Sequence, residues 1–298
     1  MRLGVDLGGT KTEIIALDES GHERLRRRIA TVRDYAGTIA AIGELVAGAE
    51  RELGETGTVG VAIPGNVSCH TGLIKNANSL WLNGKPFPRD LEVALDRPVR
   101  LANDANCFAL SEATDGAGAG QSVVFGVILG TGCGGGVVIG GKVLEGAHGI
   151  GGEWGHNPLP GMTVGEWGET PVCYCGQQGC IEQWLAGPAF AADFHRHAGG
   201  AYADWTAEKI VSSEMPEATA ALQRWTERLA RALASVVNII DPDVIVLGGG
   251  LSNIGGIYDD LPGLVERRAF TPETPSRVVK NVHGDSSGVR GAAWLWQA

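Results

Sequence analysis

Two glycine turns, each set between β-prone stretches, constrain this chain more than any other feature. Val5-Asp6-Leu7-Gly8-Gly9-Thr10 lines up loosely with Val127-Ile128-Leu129-Gly130-Thr131-Gly132. Around the first turn, residues 3–7 and 12–17 read as strands; around the second, 123–129 and 135–139 do. A strand–glycine turn–strand plan met twice argues for the internal duplication of an α/β unit. The 298 residues leave room for two domains at roughly 100–200 residues each. The run Gly116-Ala117-Gly118-Ala119-Gly120 sets the expected boundary, giving domains 1–117 and 118–285 with a final helix at 286–298.

Other segments fill in this plan. A third strand is expected near 24–31, a helix over 35–53 from the spacing of Ile39, Ile42, Leu45, Val46 and Ala49, and buried strands at 59–63, 99–102 and 244–247. A helix follows Asp104 and a long one spans 217–240. Residues 66–88 and 145–180 read as loops, and loops this long are uncommon unless functional or tied down.

Glycine lets backbone N–H groups approach a phosphate closely. Gly8, Gly9, Thr10 and Lys11 form one such turn, with a hydroxyl and a charge added, and Asp6 is placed to position Mg²⁺ directly or through water. Gly130, Thr131, Gly132, Cys133 and Gly134 form the second. Either turn alone reads equally well as a tight hairpin; two in matching halves favour phosphate. Gly249 and Gly250, at the end of a buried strand, lie where α/β sheets accept nucleotides, although a glycine-rich helix start explains them too. Gly130 to Gly135 formally fits G-x-G-x-x-G, but a strand and not a helix follows, which excludes dinucleotide binding, and no Walker pattern is present.

Three of the six cysteines lie together as Cys173-Tyr174-Cys175-Gly176-Gln177-Gln178-Gly179-Cys180. Three thiolates need a fourth ligand for a closed tetrahedral zinc site. His156 is the candidate, His148 its rival, and three reduced thiols without metal the plain alternative. Cys69, Cys107 and Cys133 are expected to be small buried residues. Asp104 stands where a strand hands over to a helix, a suitable place for a general base, though a helix cap by Asn103 or Asp104 would explain the pair equally. Glu153, His156 and Glu182 supply further polar groups near the cysteines.

The net charge of −10 argues against nucleic acid as a partner; the basic run 24–28 reads as the solvated face of an edge strand. No signal peptide and no apolar span of about 18 residues is visible. A soluble, cytoplasmic protein with reduced thiols and no membrane partner is the expectation.

Asp6 to Lys11, Leu129 to Gly136, Glu153-Trp154-Gly155-His156 and Cys173 to Glu182 resemble the ROK family (repressors, open reading frames and sugar kinases) over essentially the whole chain. Lys75 to Ser79, Glu153 to Pro160 and His283 to Gly291 are similar to bacterial fructokinases of the manno(fructo)kinase type. The resemblance implies an α/β fold of the actin-like ATPase (ribonuclease H-like) duplication, two domains around a cleft, with the final helix packed back on the first. It implies ATP, Mg²⁺ and a structural Zn²⁺ as cofactors, and a homodimer. Asp104 would be the general base, and Gly65, Asn78, Asn103, Asp104, Glu153, His156 and Glu182 would hold the sugar. Zinc would sit on His156, Cys173, Cys175 and Cys180, with the other ring nitrogen of His156 toward the sugar. The insertion Asn157 to Val172 departs from the shorter loops of many relatives, and either a second subunit or the sugar pocket is its expected use.

The function so implied is ATP-dependent phosphorylation of a free hexose, D-fructose at its 6-hydroxyl first, with mannose, glucose or N-acetylglucosamine as alternatives. A sugar-responsive repressor would need a DNA-binding module ahead of Asp6, where only a few residues stand. A non-catalytic sugar-binding protein is the remaining alternative, against which both phosphate turns and Asp104 argue.

Overall fold

In a computed structural model, residues 1–199, 202–271, 276–284 and 287–296 are described. The chain opens with β1 (Arg2–Leu7), β2 (Lys11–Leu17), β3 (Glu23–Ala30), α1 (Tyr35–Leu53), β4 (Thr58–Ile63), the small hairpin β5 (Asn66–Val67) and β6 (Ile74–Lys75), α2 (Phe87–Leu95), β7 (Val99–Asn103) and α3 (Asp104–Asp115). These strands form a sheet in the order β3-β2-β1-β4-β7. The glycine turn 8–11 joins the antiparallel strands β1 and β2, β3 adds antiparallel to β2, and β4 and β7 add on in parallel.

The second half repeats the order. After β8 (Val123–Leu129), β9 (Cys133–Ile139) and β10 (Lys142–Val143) come α4 (Val164–Gly168), α5 (Glu182–Leu185), α6 (Gly187–Ala198), α7 (Ala207–Val211), α8 (Pro216–Ile240), β11 (Val244–Gly248), α9 (Ile257–Glu266), β12 (Val278–Lys280) and α10 (Ser287–Trp294). The sheet runs β10-β9-β8-β11-β12. Each strand therefore has its counterpart in the first sheet, and the second glycine turn joins β8 to β9 as the first joins β1 to β2. The duplication read from two hexapeptides extends to the whole strand order.

Local chemistry explains the elements. Helix α1 starts where the Asp34 carboxylate accepts the Gly37 N–H (2.7 Å) and stops at Gly54, whose φ is 65°. In β3 only Leu25 is buried. Its arginines 24, 26, 27 and 28 pair with Glu55, Glu23, Glu52 and Glu13, which uses up the basic run on an edge strand. Residues expected to be loop, 66–88, contain the β5–β6 hairpin, a 3₁₀ turn at Leu80–Leu82 and the start of α2. Short elements such as these lack the repeats that reveal longer ones.

Contacts divide the described residues into two compact units. One holds Met1–Gly120, Gly136–Gly152 and the described C-terminal residues 287–296; the other holds Gln121–Gly135 and Glu153–Gly284. The break at Gly120 falls within the expected glycine run. Residues 136–152, expected in the second domain, group with the first unit, because Gly136 lies on α3 and Gly149 lies beside Val67 and Cys69. The expected end of the second domain at Asp285, and positions 286 and 297–298 of the final helix, lie outside the described residues.

Helix α10 packs within the first unit on α3, β1 and β4. Its backbone comes closer than any side chain would permit: a Cβ on Gly60 would lie 1.9 Å from the Ala292 carbonyl oxygen, and one on Gly291 1.7 Å from that of Cys107. Ser287 donates to the buried Glu112 (2.8 Å), and Arg290 and Trp294 both reach Asp115.

In the second unit the insertion is anchored. Thr163 and Glu166 form a capping box on α4. The Glu166 carboxylate accepts from Arg228 (2.8 Å) and Arg231 (2.7 Å) of α8, and Arg228 also donates to Asp193 of α6 (2.8 Å). Burial opposes ionisation of Glu166, but the hydrogen bonds from Arg231 and Arg228 prevail and hold its carboxyl at about 2. The free cysteines differ from expectation in one case: Cys107 and Cys133 are buried, but Cys69, on the turn after β5, is exposed. No described helix is long and apolar enough to cross a membrane.

Candidate functional site

In the first unit, four residues read as sugar contacts lie at the β7–α3 junction and in the segments that follow β4 and β6. Asn103 caps α3, its side-chain oxygen accepting from Ala105 (2.9 Å) and Asn106 (3.4 Å), while its Nδ2 donates to the Gly65 carbonyl (3.3 Å). Gly65 is buried with φ 140°, and a Cβ there would stand 2.7 Å from Ala77 Cα, so only glycine fits. Ala77 is held on both sides by Asn83, whose Oδ1 accepts its N–H and whose Nδ2 donates to its carbonyl, both at 2.9 Å. Asn78, the next residue, is exposed. Asp104 opens α3 with an exposed side chain whose Oδ1 accepts the Ala105 N–H at 2.8 Å.

Asp6 is the next-to-last residue of β1, which together with β4 and β7 aims its C-terminal end at this group. Burial, and then the charges of Asp104 and Glu13, push its carboxyl up to about 7, with Lys11 and Arg28 partly offsetting them. Asp6 and Asp104 therefore sit close enough to feel each other. The adjacent turn is closed by Gly8 N–H to Lys11 O (3.1 Å) and braced by Thr31, which donates to Gly8 O (2.8 Å). Gly9, Thr10 and Lys11 are exposed.

In the second unit the glycine turn is stitched to its neighbours. Gly187 N–H donates to Gly130 O (2.7 Å), and Gly130 N–H closes the turn on Gly132 O (3.0 Å). Thr131 is exposed at its tip. Glu182, the first residue of α5, accepts the Cys133 N–H (2.9 Å), and a Cβ on Gly132 would lie 2.8 Å from the same carboxylate oxygen. The Cys133 amide, expected at a phosphate, thus serves Glu182. Trp154 donates to the Gly134 carbonyl (3.0 Å), which holds the short turn Trp154–His156, and Glu153 just before it, on β9. Gly249 (φ 81°) lies against Leu129, where a Cβ would meet the carbonyl oxygen at 2.5 Å, so the turn carrying Gly249 and the exposed Gly250 borders the 130–134 turn. Ser252, not singled out from the sequence, donates to Gly249 O (2.7 Å).

His156, Cys173, Cys175 and Cys180 bring their ligand atoms within 4.8 Å of one another. Cys173 Sγ stands 3.6 Å from His156 Nδ1, and Cys175 Sγ 3.6 Å from Cys180 Sγ. A tetrahedral zinc ion with Zn–S of about 2.3 Å and Zn–N of about 2.0–2.1 Å requires edges of about 3.6–3.8 Å. The donor set fits zinc, closed and with no open position. His148 belongs to the first unit, with its ring near His70, and is not among the four. The knuckle is formed by Cys173 N–H to Gln177 O (2.8 Å) and Gly176 N–H to Cys173 O (2.9 Å).

One neighbour was not foreseen. The Tyr174 hydroxyl lies 3.1 Å from His156 Nε2, and the two rings meet edge to face with centroids 5.2 Å apart. Burial, followed by the charge of Glu182 and then those of Cys173 and Glu153, pushes this phenol up to about 12. The nitrogen expected to face a sugar thus has a protein partner. Its only sequence signal was an aromatic residue between two ligand cysteines. Asn83 had none beyond the Asn83-Gly84 turn pair, whereas Thr163-x-x-Glu166 carried the capping-box signature.

Comparison with known proteins shows the family. Residues 2–298 match the ROK family. An N-acetyl-D-glucosamine kinase of Escherichia coli O127:H6 is 40% identical over 302 residues, covering 99% of each chain. A ROK hexokinase from Thermus thermophilus superposes with a TM-score of 0.84 at 33% identity, covering 98% of this chain and 96% of that one. A ROK family glucokinase from Streptomyces griseus, in complex with glucose and AMPPNP, gives 0.80 at 29% identity, covering 99% and 98%. The chain belongs to the ROK family, and its fold is the actin-like ATPase duplication.

Proposed function

We propose that the protein phosphorylates a free hexose with ATP and Mg²⁺. The observation that carries this reading is the placement of Asp104, exposed at the start of α3 and capped into position by Asn103, beside the half-buried Asp6. Asp104 would accept the proton of the attacking sugar hydroxyl. Asp6, the turn Gly8–Lys11, Gly130, Thr131, Gly132, Gly249 and Gly250 are the residues we propose for the metal–nucleotide. Gly65, Asn78, Asn103, Glu153, His156 and Glu182 are the residues we propose for the sugar. Bound zinc would supply a fixed imidazole and no catalysis of its own. Catalysis would then be positioning and charge neutralisation.

Two sugars lead the choice of substrate. The E. coli relative named as an N-acetyl-D-glucosamine kinase supports an N-acetylated hexose, while the Lys75–Ser79 and Glu153–Pro160 stretches support D-fructose. The reduced cysteine set suits a reducing compartment, the cytoplasm, and a homodimer is the assembly we propose; the mass in solution tests it. The functional test is ADP release from Mg-ATP with a panel of free hexoses that includes both sugars. Release with at least one is expected, and none with any hexose sinks the reading. Asp104→Asn should keep sugar binding while turnover falls by about 10²–10⁴; near-native turnover removes Asp104 from the role.

A further inference from the structure

We propose that a cavity of the second unit, bordered by α8 and the insertion 157–172, binds a phosphate group, free or as the monoester of a small polyol, with Arg224 and Arg228 donating to its oxygens. The cavity holds about 390 Å³, within the roughly 300–1,000 Å³ of small-molecule sites. It shares no residue with the glycine turns or the cysteine cluster, so it does not depend on the sugar-kinase reading.

The charge of the cavity comes from one face of one helix. Arg224, Arg228 and Arg231 are spaced four and three residues apart on α8, which sets them in one row, and all three line the cavity. They meet two buried carboxylates. Glu166 accepts from Arg228 and Arg231, and Asp193 accepts from Arg228 and from Arg224 (2.7 Å). Around them Arg268 pairs with Glu227, and Arg196 stands 3.3 Å from Glu169. These five arginines and four carboxylates leave one positive charge over, in a chain whose net charge is −10. Two arginines would balance the two buried carboxylates; anchoring the insertion needs no third.

Donor groups are left over as well. Arg228 gives Nε to Glu166 and Nη1 to Asp193, and Arg224 gives Nε and Nη2 to Asp193. Among the described residues Arg228 Nη2, Arg224 Nη1 and Arg231 Nε have no acceptor. The Arg228 side chain is 5% exposed. Its plane is fixed by two carboxylates and by the Trp184 ring, whose centroid is 4.8 Å from Cζ. Nη2 is therefore a donor held in place before any ligand arrives. The Arg224 side chain, 30% exposed, is open to solvent. Guanidinium groups so arranged match the several oxygens of one phosphate better than a single carboxylate. The remaining space suits hydroxyl groups: Thr163 Oγ1 accepts the Glu166 N–H and retains its own hydrogen to donate, and the lining carboxylate of Glu227 accepts.

The test titrates the full chain, saturated with Mg-AMPPNP to fill any nucleotide site, with inorganic phosphate and with a hexose 6-phosphate in a calorimeter, in buffer free of phosphate and sulfate. The wild type is expected to bind at least one probe, and Arg224→Gln to weaken that Kd about 10–100-fold. Equal affinity for both probes supports free phosphate as the ligand, and tighter binding of the ester supports the ester. Glu227→Gln removes a rim carboxylate from a surface pair and should tighten binding about threefold, a gain that a purely structural ion network does not produce. No binding of either probe overturns the proposal. So does an unchanged Kd in Arg224→Gln or, where that variant does not fold, in Glu227→Gln. Binding seen only without Mg-AMPPNP overturns it too, by placing the phosphate at the nucleotide site.

Discussion

Replacing Glu166 by Gln removes one negative charge from between two buried arginines while keeping the shape of the side chain. The carboxyl is held at about 2 against an ordinary 4.5. That difference of about 2.5 pKa units corresponds to about 3 kcal/mol of stability at neutral pH. The Glu166 and Arg231 side chains are each less than a tenth exposed, so solvent screening takes little from this figure. The sign follows from the direction. A depressed carboxylate stabilises the fold above its unfolded pKa and loses that contribution as pH falls toward its folded value. Urea unfolding of wild type and Glu166→Gln should therefore differ by about 3 kcal/mol at pH 7 and by about 1 kcal/mol at pH 3. The thermal midpoint at pH 7 should fall by roughly 6–12 °C. A gap below about 1 kcal/mol at pH 7, or one equal at both pH values, would refute the claim that this charge anchors the insertion.

Three further outcomes are expected. Gly291→Ala places a Cβ 1.7 Å from the Cys107 carbonyl oxygen, so α10 must shift off α3, and the thermal midpoint should drop by an amount equivalent to about 2–4 kcal/mol. Cys175→Ser removes one of four converging donors, and metal analysis of the purified variant should show zinc well below one per chain where the wild type holds one. Asn83→Ala frees both backbone groups of Ala77; denaturant unfolding should register about 1–3 kcal/mol, and the KM for sugar should rise more than that for ATP.

What could be read in advance depended on how local the signal was. The two glycine turns, the period of α1 and the apolar runs of β4, β8 and β11 are each contained in a few adjacent residues, and all appear where expected. The zinc set was three-quarters legible because Cys173, Cys175 and Cys180 adjoin; His156 needed the fold to bring it across the insertion. The anchoring of that insertion could not be read, since Glu166 meets Arg228 and Arg231 from sixty residues away. The helix-cap role of Asn103 and the base position of Asp104 looked like competing accounts of one dipeptide. They are compatible: Asn103 takes the backbone N–H groups of Ala105 and Asn106 and thereby fixes the residue between, Asp104, at the helix start.

Glu182 links the cysteine cluster to the second glycine turn. It lies two residues after the ligand Cys180, and the intervening Ile181 is tied back by its N–H to Asn157 O at 2.8 Å. Its carboxylate then accepts the Cys133 N–H and fills the space beside Gly132. A metal that fixes Cys180 therefore fixes, within a few bonds, the group that shapes the turn between β8 and β9. Zinc at this place would act on the turn without touching it. If bound, it would limit how far Glu182 can move, and through Glu182 the conformations open to Gly130–Cys133. A closed set of three cysteines and one histidine would suit that purpose, because it leaves no coordination position to exchange with solvent.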